Sequence, residues 1–158
     1  MFAELIEVLE DVSHSRWVYL AGQYDSHAYL ESIAERLRAE GYVVTSSWHR
    51  PLVVRKAAAD RAAGIPSLPV SLAAGDMNDI DKADALVLFD AGASTGKFVE
   101  LGYALAKSMP VIVIQATTRR NVFAACADWT IDVSGDDAER HARLDAILAA
   151  QSAGYVEA

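Results

Sequence analysis

Glu100 stands four residues after Gly96 and four before Ala104. On a helix that spacing clears bulk from the face around the carboxylate. Just upstream, Gly92-Ala93-Ser94-Thr95-Gly96 is a loop of small polar residues, of the kind that cradles an anion at a helix N-terminus. A carboxylate beside such a loop suits a substrate that must approach closely. The plain alternative is an acidic residue favoured by the dipole of a helix start. Asp76 follows Ala74-Gly75 and is expected to begin a helix at the same edge of the molecule. Two carboxylates in one pocket can divide labour, one ionised as nucleophile and one protonated as acid, when burial pushes their pKa values apart. The neighbouring Asp79, Asp81 and Asp84 lack the glycine and terminal glutamate of a calcium loop and read as solvated helix-face charges.

These residues need elements to position them. Residues 2–11 place Phe2, Leu5, Ile6 and Leu9 at helical spacing, and this stripe needs a partner on the domain's own flank or on another subunit. Residues 17–21 form a first strand closed by Gly22, with Tyr19 inside it and Gln23-Tyr24-Asp25-Ser26 as the following loop. A helix over 27–40 stops at Gly41, and 42–45 is a second, parallel strand that ends on Ser46, Ser47, Trp48 and His49. Residues 46–70 are punctuated by Pro51, Gly64, Pro66 and Pro69 around a helical stretch at 55–63, and read as an insertion or lid over the sheet edge. A helix over 71–83 turns Leu72, Met77 and Ile80 inward and Asp76, Asp79 and Asp81 outward. The apolar run 85–89 is a buried strand that ends at Asp90 and leads through the small-residue loop into the Glu100 helix. Strands at 111–115 and 129–133, a turn or short helix at 121–127 and a closing helix at 136–150 complete the order. Strands alternating with helices predict a single α/β domain over 1–158, its parallel sheet covered by helices on both faces. Its functional groups are expected at the carboxyl edge of that sheet.

Composition bounds the function. A net charge of −8 and a pI near 4.9 disfavour nucleic acid as a partner, with Arg55-Lys56 and Arg119-Arg120 read as solvated pairs. The single Cys126 excludes an internal disulfide and is expected to be a small core residue. His14, His27, His49 and His141 lie on separate elements without ligand spacing, so each is read as solvated and no metal is expected. No stretch is apolar enough to span a bilayer, and a cytoplasmic location is the expectation. Gly-x-Gly-x-x-Gly does not follow the first strand and Gly96-Lys97 lacks the rest of a P-loop, which argues against NAD and ATP; no cofactor is called for.

Tyr19-Leu20-Ala21-Gly22, then Asp76, then Ser94-x-Gly96-x-x-x-Glu100-Leu101-Gly102-Tyr103-Ala104 resemble the nucleoside 2-deoxyribosyltransferases. Their superfamily includes the 2′-deoxynucleoside 5′-monophosphate N-glycosidases. The resemblance runs over about 17–123 and implies a three-layer Rossmann/flavodoxin-like fold with about five parallel strands. It implies Glu100 as a nucleophile on C1′ of the deoxyribose, Asp76 as the group handling the proton of the departing base, and Tyr19 as the hydroxyl that orients the nucleophile. Ser94 and Gly96 would clamp the sugar or its 5′ end, and Gly22 and Gln23 would line the same pocket. Asn121 would reach into a neighbouring subunit's site, so the resemblance implies a homodimer or higher homo-oligomer with shared sites. Trp48 is a candidate to stack on the base. The small-molecule partner would be a deoxynucleoside or deoxynucleotide, with deoxyribosyl transfer to an acceptor base preferred over hydrolysis of a 2′-deoxynucleoside 5′-monophosphate, and a non-catalytic nucleoside- or nucleotide-binding module as the alternative of another class. Gln23-Tyr24 stands where the monophosphate hydrolases carry an arginine, whereas Ser94 and Lys97 favour a phosphate.

Overall fold

The computed structural model describes residues 1–13, 15–66, 68–91, 94–116 and 121–133. They form helix α1 (Phe2–Val12), strand β1 (Trp17–Ala21), a 3₁₀ turn (Tyr24–Ser26) running into α2 (His27–Ala39), and the short strand β2 (Val43–Val44). Then come α3 (Pro51–Ala62), α4 (Leu68–Asp81), β3 (Ala85–Asp90), α5 (Gly96–Ala106), β4 (Val111–Gln115), a second 3₁₀ turn (Ala124–Cys126) and β5 (Trp129–Asp132). The closing helix expected at 136–150 lies outside the described residues, as do Gly92, Ala93, Arg119, Arg120, His14 and His141.

All five strands are parallel, in the order β2-β1-β3-β4-β5, with Val18 opposite Ala85 and Leu86 opposite Val111. This is the parallel α/β sandwich expected from the alternation of elements. The winding reverses between β1 and β3, which opens a crevice at the carboxyl ends of those two strands, the usual place for a ligand in such sheets. Successive side chains point to opposite faces and build two cores. Val18, Leu20, Val87 and Ile112 pack against Leu5 and Leu9 of α1 and Leu30, Ile33 and Leu37 of α2. Tyr19, Ala21, Leu86, Leu88 and Val113 pack against Ile80 of α4 and Leu101 and Ala104 of α5. Leu5 and Leu9 are fully buried, so the stripe of α1 finds its partner within its own domain. At about 1.5–3 kcal/mol for each fully buried leucine, these two anchor α1.

Two backbone positions decide how the elements meet. Gly41 adopts φ +85° after α2, and the N–H of Tyr42 donates to the Leu37 carbonyl at 3.0 Å, closing the helix with a left-handed cap. At Gly22 a Cβ would come within 2.5 Å of Leu30 Cδ1, so any larger residue there would force the buried Leu30 side chain of α2 to shift.

The structure corrects several expectations. Pro51 does not break a helix; it occupies the first turn of α3, where its missing N–H costs nothing. Pro69 likewise lies in the first turn of α4, so residues 46–70 hold one whole helix and the start of the next. Asp76 is therefore well inside α4 and does not begin it. Asp79, expected on the solvent face, is buried, because its carboxylate accepts from Ser47 Oγ at 2.5 Å and pairs with Lys82 at 3.4 Å. His49 is fully buried, and Cys126 is exposed where a core residue was expected. Among the described residues no helix is long and apolar enough to cross a membrane.

Candidate active site

Tyr19, Asp76 and Glu100 come from β1, α4 and α5, three elements that pack around one core. Asp81, at the end of α4, accepts hydrogen bonds from Tyr103 Oη at 2.9 Å and from Lys107, both on the α5 side, and so ties the two helices together. At the other end of the helix pair the functional groups converge. Tyr19 Oη donates to Glu100 Oε1 at 2.8 Å, a buried bond between residues 81 apart in sequence. Glu100 Oε2 is buried and has no hydrogen-bond partner.

Burial sets the charge states. Glu100 is pushed up to about 8, chiefly by desolvation, with the Tyr19 hydrogen bond pulling it down and the negative field of Asp76 pushing it further up. Asp76 is pushed up to about 6 by desolvation and by Asp79 one turn along α4. Tyr19 is raised far above the usual phenol range by burial and then by Glu100, so it stays a donor. Between about 6 and about 8 the two carboxyl groups share one proton and one negative charge, the pairing that a nucleophile and a proton carrier require.

Asp76 and Glu100 line a partly enclosed cleft of about 160 Å³, together with Gly22, Trp48, Ser94 and Gly96. Val53 and Ala57 of α3 and Leu72 of α4, one turn before Asp76, add apolar lining to the cleft. A shallower groove adjoins it, sharing Tyr24 and Ser94 and adding Gln23, Thr95, Phe98 and Asn121. The structure thus places every singled-out residue on one or the other of two connected lobes, except Tyr19, which supports Glu100 from beneath. Asn121 uses its Oδ1 to accept from the Phe123 N–H at 2.8 Å, and Gln23 Nε2 donates to Asp25 at 3.2 Å. At Gly96 a Cβ would meet only Ser94 Oγ at 3.9 Å, so space alone does not demand glycine there.

One residue differs from its sequence reading, and another gains an anchor. Lys97, expected from sequence to favour a phosphate, is buried, pairs with Asp90 at 3.0 Å and donates to the Ala91 carbonyl at 3.1 Å. Trp48 is half-buried, and its Nε1 donates to the Leu20 carbonyl at 2.9 Å while its ring faces the cleft wall. Its anchor is a buried relay that sequence reasoning missed. Burial pushes Glu31 up, but hydrogen bonds from Arg38 and His49 outweigh it and hold the carboxyl below its usual range. As a carboxylate it must accept from His49 Nδ1, at 2.6 Å. Burial lowers His49, so the neutral ring accepts at Nε2 from Ser46 Oγ at 2.8 Å, and Ser46 accepts in turn from the Leu20 N–H at 3.1 Å. The set has the connectivity of a Ser-His-Glu triad, yet Ser46 and His49 are wholly buried and no substrate can reach them. Its effect is to fix the turn that carries Trp48. No local spacing marks it, because its members meet only when α2 docks beside β2.

The nucleoside 2-deoxyribosyltransferase family matches residues 18–149, most of the chain. The chain belongs to that family. Among solved structures, a CMP N-glycosidase of Clostridium botulinum shares the fold with a TM-score of 0.50 and 20% sequence identity, over 82% of this chain and 98% of its own. No curated protein matches the chain in sequence. The family's substrates are nucleosides or nucleotides, and membership is consistent with a small-molecule partner and with an N-glycosyl-transferring or N-glycosyl-hydrolysing activity.

Proposed function

We propose that the protein is a nucleoside 2-deoxyribosyltransferase, moving deoxyribose from one base to another through an ester on Glu100. The single observation that carries this reading is the Glu100 carboxyl itself: one oxygen held by Tyr19 at 2.8 Å, the other without a partner, in a cleft that also holds Asp76. In the first half-reaction a Glu100 carboxylate oxygen bonds to C1′ as the C1′–N bond breaks. The electron pair leaves with the base, and Asp76 supplies the proton that neutralises it. Oxocarbenium character at C1′ is stabilised by the carboxylate that then traps it, as in retaining glycosidases. In the second half a nitrogen of the acceptor base attacks C1′, Asp76 takes back its proton, and Glu100 departs as carboxylate. Trp48 and the Val53–Ala57 side of α3 supply an apolar wall for a flat base.

The test incubates the protein with a 2′-deoxynucleoside, with and without a second base. New nucleoside formation is expected; release of free sugar alone would assign hydrolysis instead, and no product would point to a binding module. Glu100→Ala is expected to abolish base release while the circular dichroism spectrum stays unchanged. Undiminished turnover in that variant would remove Glu100 from the chemistry.

The homo-oligomer implied by the family resemblance belongs to the same proposal. Phe123 and Val122 follow Asn121 directly, Val99 follows Phe98, and all three stand at least 56% exposed beside the outer lobe. A neighbouring subunit covering them would also close the groove that Asn121 and Phe98 line.

A further inference from the structure

Strand β2 is two residues long, so the edge of β1 outruns its partner soon after Val44. Thr45 still donates its N–H to the Val18 carbonyl at 2.9 Å. The next backbone groups along that edge belong to Leu20 and are taken by side chains. Ser46 Oγ accepts the Leu20 N–H at 3.1 Å, and Trp48 Nε1 donates to the Leu20 carbonyl at 2.9 Å, since buried backbone groups demand partners. The indole is held a second time by the His49 ring, which packs edge-on against it with centroids 5.4 Å apart at 83°. His49 is itself pinned at both nitrogens, by Ser46 at 2.8 Å and by Glu31 at 2.6 Å, while Arg38 takes the other Glu31 oxygen at 2.8 Å. Trp48 lines the cleft; Ser46 and His49 lie behind it, fully buried. An apolar side chain at position 49 would fill the same space. A fully partnered polar chain in its place selects one arrangement, because every alternative strands a buried donor or acceptor.

We propose that His49, oriented by Glu31, is a positioning residue for ligand binding: it holds the Trp48 indole in the rotamer that walls the cleft, and so sets nucleoside affinity without touching the ligand or the chemistry at Glu100. This rests on the reading of the cleft as a nucleoside site. A tryptophan free to change rotamer would have to be ordered each time a ligand docks, and that loss of freedom is subtracted from the affinity. An indole held beforehand escapes it. The Glu31 carboxylate fixes the proton on His49 Nδ1 and leaves Nε2 to accept from Ser46, as an outer carboxylate fixes the tautomer of a working histidine. Without that carboxylate the ring can take the other tautomer or turn, and Trp48 loses its fixed neighbour. The effect runs from α2 to the cleft wall through two side chains.

Trp17 and Trp129 begin β1 and β5, at the opposite end of the sheet from the cleft, so replacing both by phenylalanine leaves Trp48 as the only tryptophan. In that background the anisotropy of Trp48 emission reports its freedom. Calorimetry on the Glu100→Gln protein, which keeps substrate intact, reports affinity for 2′-deoxycytidine and 2′-deoxyadenosine. Glu31→Ala is expected to lower the anisotropy and to weaken whichever nucleoside binds by about three- to tenfold, the scale of ordering one side chain. Glu31→Gln, whose amide oxygen can still accept from His49, should recover part of both. With Glu100 intact, the single-turnover rate of base release at saturating nucleoside should stay within about twofold, so that the loss falls on binding. A double-mutant cycle separates positioning from general support: Glu31→Ala should weaken binding no further once Trp48→Ala is present. Additive losses, unchanged affinity in Glu31→Ala, or a rate that falls as far as the affinity overturns the proposal. Should Glu31→Ala fail to fold, Glu31→Gln and Ser46→Ala enter the same cycle with Trp48→Ala, and the same outcomes decide. Absence of binding by both nucleosides overturns the nucleoside reading and this proposal with it, whereas binding that ignores the relay overturns this proposal alone.

Discussion

Glu100 and Asp76 face each other's fields in a space where water is scarce, and their protonation is the property most open to measurement. With Glu100 near 8 and Asp76 near 6, the singly protonated pair dominates between those values. Base release needs one proton and one negative charge on the pair. The pH dependence of kcat/KM should therefore be a bell with limbs at about 6 and about 8, values that belong to the pair. Asp76→Asn should abolish the bell and leave a single rise with pH, starting lower because the charge that raises Glu100 is gone; an unchanged bell would remove Asp76 from the chemistry. The same shift makes a stability statement. Glu100 binds its proton more tightly folded than unfolded, so stability is lost as pH rises from the ordinary carboxylate range through about 8. Glu100→Gln keeps an acceptor for Tyr19 and removes the buried charge. It should raise stability by several kcal/mol, at most about 5, at pH 9 and little at pH 4, read from urea unfolding at both. A uniform effect at both pH values would contradict the burial account.

Helix α4 shows how an element carries a site at some cost to itself. It holds Asp76 and Asp79 on its buried side, yet Gly75 stands in its interior, exposed and with nothing within 4 Å of a built Cβ. A helix-interior glycine costs roughly 0.5–1 kcal/mol relative to alanine, so Gly75→Ala should stabilise by about that amount, a rise of roughly 2 °C in Tm. A loss of stability would mean that the backbone there is not helical. Gly75 is also why Asp76 looks like a helix start in sequence, although the apolar spacing over 71–83 runs through it; in the structure α4 is continuous from Leu68 to Asp81 and packs Ile80 against the core. The 46–70 segment is obscure in sequence for a related reason. Its prolines are compatible with first turns as well as with breaks, and which one holds depends on where α3 and α4 dock.

Across the whole molecule, the crevice between β1 and β3 gathers groups from elements distant in the chain, and its outer lobe ends on exposed apolar side chains. If a second subunit covers them, Phe123→Asp should shift the particle mass measured by light scattering toward the monomer and reduce turnover with it. A monomeric unmodified protein with full activity would rule out a shared site. The alternation of short branched runs with helical stripes makes the parallel sandwich legible in the sequence, since burial on both faces forces apolar strands and single-striped helices. The Ser94-to-Glu100 motif makes one carboxylate legible too, because a small-residue loop and a cleared helix face are local features. The strand order, the burial of Asp79 and His49, the Lys97–Asp90 pair and the Tyr19–Glu100 bond are not legible there, because each depends on which elements become neighbours. Desolvation acts only where the chain has closed around a group. The residue types and the family to which they point are written in the sequence; the charge each one carries, and the partner that sets it, were decided by tertiary packing.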